Sequence, residues 1–303
     1  MKIIVGICTY NRNEMLNKLL ESLHSQINIP EEITLDIIVC DNSMKQSAKD
    51  VLTHKEIYLH ENIEGIVHAR NNILSYTMKN NYGALIFLDD DEIVQNDFID
   101  NYVMAYHELN KPAFIAAPVK PLIDKEKCAV PWLENTSCYS TPTRASGPLT
   151  DKQIVGCGNV LINLEFIKKH KITFNKDFNV SGGEDALFFF EIQKNGGQGF
   201  WLTGAEVSEG LSDDRYTYSY FKKRCFTLSC SGVRAYMVAY GKMAAIIKWL
   251  PKSVLHIIFS IPLLCTGIIS QKYKYKGVQH FYVGIGQVCG LVNIKLRPYK
   301  QNK

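Results

Sequence analysis

The sequence predicts an α/β fold in which a mostly parallel sheet is covered by helices on both faces, followed by a basic and apolar C-terminal region. Two observations predict it. Short β-branched runs alternate with helix-patterned stretches through the first hundred residues, the order that gives parallel strands with crossover helices. All 30 acidic residues lie at or before Asp214, so residues 1–214 carry a net −11, whereas the 15 Lys and Arg that follow carry +15. Such asymmetry indicates an anionic partner for the basic half, either a membrane or a nucleic acid.

The predicted strands occur in this order: IIVGIC (3–8), LDIIVCD (35–41), EIYLH (56–60), ALIFLDDD (84–91) and FIAAPV (114–119). A first helix is predicted after the capping segment 11–13, because apolar residues recur at helical spacing from Met15 to Ile27. A second helix is predicted over 66–79, and a third opens at Ser181–Asp185.

The remaining composition is that of an ordinary globular chain. Its 303 residues are 46% apolar and 21% charged, which excludes a disordered or collagen-like protein. Nine scattered cysteines without a CxxC pair predict a reducing compartment. The apolar N-terminal run is shorter than a signal-peptide core, so we expect the bulk of the chain in the cytosol.

Residues 120–160 are expected to be mostly loop, with a short strand after Gly156–Gly158.

Three polar clusters follow the first, second and fourth predicted strands. They are Thr9–Arg12, Asp41–Ser43 and Asp89–Asp91. In an open parallel sheet the ligand site lies beyond the carboxyl ends of the strands, so we expect these clusters to meet there. Consecutive carboxylates repel one another unless a cation neutralises them, and Mg²⁺ or Mn²⁺ takes such oxygen ligands together with phosphates. The alternative is a solvated turn or helix N-cap after the strand.

Other polar residues each allow two interpretations. Glu184 and Asp185 at the start of a helix either cap it or supply a general base. Asp41 is either a turn residue or a hydrogen-bond acceptor for a nucleobase. Arg12 and Arg70 either pair with surface acids or hold a diphosphate. The glycine patterns of dinucleotide-binding and P-loop proteins are absent from the sequence.

The sequence resembles the glycosyltransferases of family two, particularly the succinoglycan-biosynthesis type of glucosyltransferase. The resemblance rests on six motifs in the same order, followed by YFKKRCF. The six motifs are VGICTYNRN, IIVCDNS, ENIEGIVHARNNIL, ALIFLDDDEI, VGCGNVLIN and SGGEDALFF. The resemblance covers residues 1–235 and implies a GT-A domain there, a Rossmann-like and mostly parallel α/β sheet. Residues 236–303 then form a basic, apolar and helical membrane-association region.

The resemblance also implies roles for individual residues. Those implied in nucleotide-sugar binding are Thr9, Tyr10, Arg12, Asp41, Arg70, Asp89, Asp90 and Arg224. Among them, Asp41 would contact a uracil-type base, Arg70 would lie near the diphosphate, and Asp89 would be the nearer to the ribose. Asp91 would be the direct ligand of Mg²⁺ or Mn²⁺, with Asp89 as the second metal ligand.

The catalytic pair implied by the resemblance is Glu184 and Asp185, with Asp185 as the base. Arg224 lies where processive relatives carry a Q-x-x-R-W segment. This chain lacks that Gln and Trp, which favours the addition of one sugar over polymerisation. Glu209 stands where many relatives have a histidine.

The implied activity is an inverting, metal-dependent hexosyl transfer. One sugar would move from a nucleotide-sugar, taken here as a UDP-sugar, to a lipid-linked saccharide acceptor during synthesis of an exopolysaccharide, capsule or O-antigen. One alternative is a transferase that makes a polyprenyl-phosphate monosaccharide. A second alternative, from a different class, is a non-catalytic basic module that binds membranes.

The C-terminal region contains an uncharged stretch over 253–270 and a shorter apolar one over 278–293. Lysines beyond both ends conflict with the positive-inside tendency, and Pro251 and Pro262 are expected to interrupt a straight span. We therefore expect helices that lie in the cytoplasmic membrane surface or form a re-entrant hairpin, with lysines on anionic headgroups. A soluble helical subdomain is the alternative. Nucleic acid is not expected as a partner, because aliphatic runs rather than a stacking platform separate the basic residues.

Overall fold

The computed structural model describes residues 1–53, 55–124, 136, 144–150 and 153–296. Cys128, Cys138 and most of the predicted loop between 124 and 153 lie outside this part of the chain. The chain divides into two compact units. The first comprises residues 1–120, 141–179 and 191–209, and the second comprises residues 121–140, 180–190 and 210–303. The boundary expected between residues 235 and 236 stays a prediction.

The described strands follow the predicted order and add short ones. They are β1 (Lys2–Thr9), β2 (Thr34–Asp41), β3 (Ile57–His60), β4 (Ala84–Asp89), β5 (Glu92–Val94), β6 (Phe114–Ala116), β7 (Val119–Leu122), β8 (Gly147–Leu149), β9 (Val160–Asn163), β10 (Gly199–Trp201) and β11 (Val207–Gly210). The five predicted strands correspond to β1, β2, β3, β4 and β6, and the strand predicted after Gly158 is β9. These predictions are confirmed.

The described helices are α1 (Asn13–His24), α2 (Ile66–Lys79), α3 (Phe98–Glu108), α4 (Leu164–His170), α5 (Glu184–Lys194), α6 (Tyr218–Tyr240), α7 (Lys242–Thr266) and α8 (Gln271–Leu291). The predicted second helix has the bounds of α2, and the third begins as expected at α5. The first was predicted to reach Ile27, which is wrong, because α1 ends at His24. Ile27 is half exposed and its N–H donates to the Asn96 carbonyl at 3.0 Å.

In the described residues the main sheet has the strand order β3-β2-β1-β4-β9-β6-β10-β8. Strands β1 to β4 pair in parallel, as do β6 and β10. Strand β9 runs antiparallel to β4 and β6, and β8 runs antiparallel to β10. The predicted mixed α/β fold with a mostly parallel sheet is therefore confirmed.

The sheet has a core on each face. Alternate residues of β1, such as Val5 and Ile7, pack with Leu16 of α1 and Tyr102 of α3 in one buried cluster. On the opposite face Ile73 of α2 lies over Gly6. This arrangement follows from the alternation of side chains along a strand, which sends neighbouring residues of β1 to opposite faces.

A second, smaller sheet has the order β5-β11-β7 in the described residues. Strand β5 begins directly after the three aspartates, and it pairs antiparallel with β11. In this register Glu92 lies opposite Glu209, so two carboxylates face each other on neighbouring strands. The sequence analysis did not predict this sheet, because its strands are only 3 or 4 residues long.

The second unit contains the helices α6, α7 and α8. Helix α7 continues through Pro251 and Pro262, although each proline removes one backbone donor. Among the described residues α7 is the one helix long and apolar enough to cross a membrane, and 17% of its apolar window is buried. By length and composition alone this is a weak indication of membrane association.

Candidate active site

The three predicted polar clusters lie at one edge of the main sheet. Strands β1, β2 and β4 end at Thr9, Asp41 and Asp89, and the parallel register places Thr9 beside Asp41 and Cys8 beside Asp89. The expectation that these clusters meet at the carboxyl ends of the strands is therefore confirmed. Parallel pairing explains it, because strands of equal direction end on the same side.

Asp90 connects the end of β1 to the aspartate turn. It is 4% exposed, and its Oδ2 accepts a hydrogen bond from the Thr9 hydroxyl at 2.8 Å. Its Oδ1 lies 3.0 Å from Nη1 of Arg12, and the same nitrogen lies 3.3 Å from Oδ2 of Asp91. Burial raises the pKa of Asp90, whereas Arg12 and Thr9 oppose that increase. Arg12, with a half-exposed side chain, thus neutralises part of the carboxylate charge and still faces solvent.

Arg70 reaches the same edge from α2. The residue is buried, its Cζ lies 5.8 Å from the centre of the Phe174 ring, and its Nη2 lies 3.4 Å from Oδ1 of Asp89. The Asp89 side chain is 49% exposed. Tyr10, after the end of β1, is also exposed. Arg70 therefore partly compensates the charge of a half-exposed carboxylate at this edge.

Glu92 is a site residue that the sequence analysis missed. It is 1% exposed, and its Oε2 accepts a hydrogen bond from the Asp89 N–H at 3.0 Å. Burial, with the charges of Asp89, Asp91 and Glu209, raises the pKa of Glu92. The signal available in the sequence was the fourth consecutive acid after ALIFL. Glu209 was noted only through the resemblance, and it lies opposite Glu92 in the small sheet.

The aspartate turn, Asp89–Asp91, is the candidate place for a divalent cation. No group of three or more His, Cys, Asp or Glu side chains arranged to hold a metal occurs among the described residues. Mg²⁺, however, commonly binds through one or two carboxylates together with substrate phosphates rather than in a protein cage. Asp89, Asp91, Glu92 and Glu209 come together at this turn, with Glu92 opposite Glu209 in the small sheet, and a cation would relieve the repulsion among their charges. The residues present therefore fit a cation held by Asp89, Asp91 and the phosphates of a nucleotide.

Asp41 is completely buried. Its Oδ1 accepts a hydrogen bond from the Ser43 N–H at 2.8 Å, and its Oδ2 accepts one from the Ala48 N–H at 2.9 Å. The carboxylate therefore orders the loop that follows β2. Its predicted contact with a nucleobase stays a prediction.

Glu184, Asp185 and Arg224 belong to the second unit. Glu184 is buried, and half-buried Asp185 accepts a hydrogen bond from the Ala186 N–H at 2.7 Å. Arg224, on α6, is half-buried, and its Nη1 lies 3.4 Å from the hydroxyl of Tyr220. The catalytic and binding roles expected of these three residues stay predictions.

The topology and the polar edge define the chain as a mixed α/β protein with a GT-A-like fold. A solved structure of S. aureus TarS 1-349 in complex with UDP is similar to it, with a TM-score of 0.55 and 12% identity over 93% of this chain and 89% of that one. The complex of TarS 1-349 with UDP-GlcNAc also has a TM-score of 0.55 and 12% identity, over 93% of this chain and 90% of that one. At this identity the similarity concerns the fold.

The model of the Glycosyl transferase family 2 matches residues 4–169, more than half of the chain. The chain belongs to this family. The succinoglycan biosynthesis protein ExoM of Rhizobium meliloti (strain 1021) is 29% identical over 236 residues, which cover 75% of this chain and 72% of that protein. The dTDP-rhamnosyl transferase RfbF of Shigella flexneri is 32% identical over 129 residues, 41% of this chain and 40% of that protein. The chain is thus a glycosyltransferase related to enzymes of polysaccharide biosynthesis.

Proposed function

We propose that this glycosyltransferase transfers one sugar, with inversion, from a nucleotide-sugar to a lipid-linked saccharide at the cytoplasmic face of a membrane. The observation that carries the proposal is the polar edge of the main sheet, where Arg12 and Arg70 contact the carboxylates of the aspartate turn. Two arginines beside three carboxylates, of which that of Asp89 is half exposed, provide complementary partners for a diphosphate and a divalent cation. UDP is the proposed nucleotide, and the TarS complexes with UDP and with UDP-GlcNAc support this choice.

In the proposed donor site Arg12 and Arg70 bind the diphosphate, while Thr9 and Tyr10 line the nucleotide pocket beside Asp41. A diphosphate leaves more readily when fixed positive charge compensates the charge that develops on it. Asp89 and Asp91 would hold Mg²⁺ or Mn²⁺, which when bound supplies Lewis-acid neutralisation of the leaving group.

Asp185 is proposed as the general base, with Glu184 beside it in the first turn of α5. Asp185 would take the proton from an acceptor hydroxyl as the hydroxyl oxygen forms a bond to the anomeric carbon. The bond between that carbon and the diphosphate breaks in the same displacement, so the configuration inverts. The chain's residues suggest no second nucleophile that would give retention.

The proposed membrane contact rests on the surface of α7. Its buried residues are small, Ala245, Ser253 and Ser260. Its exposed residues include many large apolar ones, among them Met243, Ile247, Leu250, Val254, Ile258 and Ile261. A soluble amphipathic helix shows the reverse distribution, whereas helices in lipid pack through small residues.

The positive charge of the C-terminal helices also supports the proposed membrane contact. Lys272, Lys274 and Lys276 at the start of α8 are exposed. Residues 215–303 contain no carboxylate that could neutralise them. Lysines near an apolar face attract anionic headgroups. The alternative of a soluble helical subdomain would bury the large apolar residues of α7, and this alternative is disfavoured because they are exposed.

The test has two steps. First, thermal unfolding is measured with UDP, with Mn²⁺ or Mg²⁺, and with both, since a ligand that binds the folded state raises the unfolding temperature. Second, UDP-glucose, UDP-galactose, UDP-GlcNAc and dTDP-rhamnose are screened for release of nucleoside diphosphate with membrane extracts as acceptor. The expected result is a metal-dependent shift with UDP and turnover of one donor. Asp91→Asn is expected to reduce both, whereas Asp97→Asn, at an exposed carboxylate, serves as the matched control.

The absence of any shift or turnover would contradict the proposal. The identity of the acceptor distinguishes the proposed activity from the alternative enzyme class. Transfer to bare polyprenyl phosphate, rather than to a lipid-linked saccharide, would favour a polyprenyl-phosphate monosaccharide transferase.

A further inference from the structure

We infer that Arg234 positions the turn that carries the catalytic pair, and that the residue Asn293, beyond the end of α8, holds Arg234 in place. The inference rests on the proposed function, because Asp185 is the proposed base. It assigns to the C-terminal helices a role in catalysis in addition to membrane contact. All of the contacts that support it lie within the second unit.

Arg234 bridges two segments that are distant in the sequence. It lies on α6 and is only 3% exposed. Its Nη1 donates a hydrogen bond to the hydroxyl of Ser181, and its Nε donates one to Oδ1 of Asn293 at 3.1 Å. Ser181 is also buried and comes four residues before Asp185. Because the guanidinium is planar, bonds from two of its nitrogens fix its orientation.

The turn between Ser181 and α5 depends on such contacts. Gly182 and Gly183 have φ angles of 70° and 89°, in the left-handed region that favours glycine. A Cβ at Gly183 would lie 2.9 Å from the backbone oxygen of Ser231, so α6 approaches the turn closely. Two consecutive glycines restrict the backbone conformation only weakly. The direction of Asp185 is therefore set by what packs against the turn.

Asn293, the second partner of Arg234, follows the end of α8, and α8 packs against α6. A Cβ at Gly286 would lie 2.5 Å from the Phe226 carbonyl oxygen, and one at Gly290 would lie 2.6 Å from that of Cys230. These glycines allow the two helix backbones to come close. The Cys230 thiol also donates to the Ile294 carbonyl at 3.6 Å. Asn293 is thus held beside Arg234 by the packing of α8 on α6.

A chain that ends near residue 235 would keep Arg234 and lose Asn293. It would therefore lose α7 and also the residue that orients the guanidinium. We therefore expect the catalytic turn to depend on residues more than one hundred positions further along the chain.

Arg234→Gln, Asn293→Ala and Asn293→Asp test the inference in the full-length chain. Val292→Ala is the matched control, since Val292 is 66% exposed and adjacent to Asn293. Three quantities are measured: amide hydrogen exchange of residues 181–187, the UDP dissociation constant by calorimetry, and turnover of the donor that the wild type uses. The exchange measurement is informative even without turnover.

In Arg234→Gln we expect kcat to fall about 10- to 100-fold, because misplacement of a catalytic group by about 1 Å has effects of that size. The UDP dissociation constant should stay within about twofold, and exchange at 181–187 should accelerate about tenfold. Asn293→Ala should show a smaller change in the same direction. Asn293→Asp, which keeps an acceptor for Arg234, should restore most of the activity, and Val292→Ala should match the wild type.

Unchanged kcat and exchange in both Arg234→Gln and Asn293→Ala would overturn the inference. So would a loss of kcat accompanied by an equal loss of UDP affinity, because that result indicates general destabilisation. If Arg234→Gln does not fold, Asn293→Ala and its Asp rescue decide the question. If the wild type turns over no donor, the proposed function fails, while the exchange data still decide whether Arg234 holds the turn.

Discussion

Asp41→Asn is expected to destabilise the protein strongly. The carboxylate is fully buried, and its two oxygens accept the N–H groups of Ser43 and Ala48 at 2.8 and 2.9 Å. The substitution preserves the shape of the side chain but replaces one acceptor oxygen by an NH₂ group. One buried backbone N–H then faces another donor, and the remaining hydrogen bond loses its charged acceptor.

The magnitude follows from these two losses. A buried donor left without an acceptor costs about 1–3 kcal/mol, and the change from a charged to a neutral acceptor costs roughly a further 1 kcal/mol. We therefore expect the free energy of unfolding to fall by about 2–4 kcal/mol. Asp50→Asn removes the same charge from an exposed residue near the same loop, and its expected effect is below about 0.5 kcal/mol.

The assay is urea unfolding followed by circular dichroism, with Asp50→Asn measured in parallel. A loss in Asp41→Asn no larger than that of its control would refute the reasoning. The same pair of variants tests the predicted nucleobase contact through the UDP dissociation constant. If Asp41 contacts the base, UDP affinity should fall in the folded Asp41 variant and stay unchanged in the control.

Three further predictions concern other parts of the chain. Asp185→Asn is expected to abolish sugar transfer and to leave the UDP dissociation constant within about twofold, and near-wild-type transfer would disprove its role as the base. Burial would raise the pKa of Glu56, but hydrogen bonds from Thr53 and the ring of His24, 2.8 Å away, lower it overall. A carboxyl group with a lowered pKa stabilises the folded state at pH values above its ordinary pKa of about 4.3. This stabilisation is lost as the group is protonated at lower pH. In acid unfolding measurements the wild type should therefore lose more stability below a pH of about 4.3 than Glu56→Gln does. Replacement of Ile247 and Ile258, 72% and 54% exposed, by Asp should release the chain from phosphatidylglycerol vesicles in a flotation assay, and continued binding would argue against docking through α7.

Much of the fold follows from local sequence. The strands β1, β2 and β4 and the helix α2 were predicted because their apolar periodicity is carried by consecutive residues. The predicted meeting of Thr9, Asp41 and Asp89 at one edge also followed, since parallel strands end on the same side. The end of α1 was predicted less well, because the apolar Ile27 continues the helical spacing although the chain leaves the helix at His24.

The sequence by itself determined the fold class, the family and the positions of the acidic turn and the glycine turn, because each depends on neighbours along the chain. Only the tertiary structure decided that Glu92 lies opposite Glu209 and that Arg234 connects Ser181 to Asn293. It also decided that α7 buries small residues and exposes large ones. These relations depend on strand register and on helix packing between segments far apart in the chain, and local periodicity does not specify which distant partner a side chain meets.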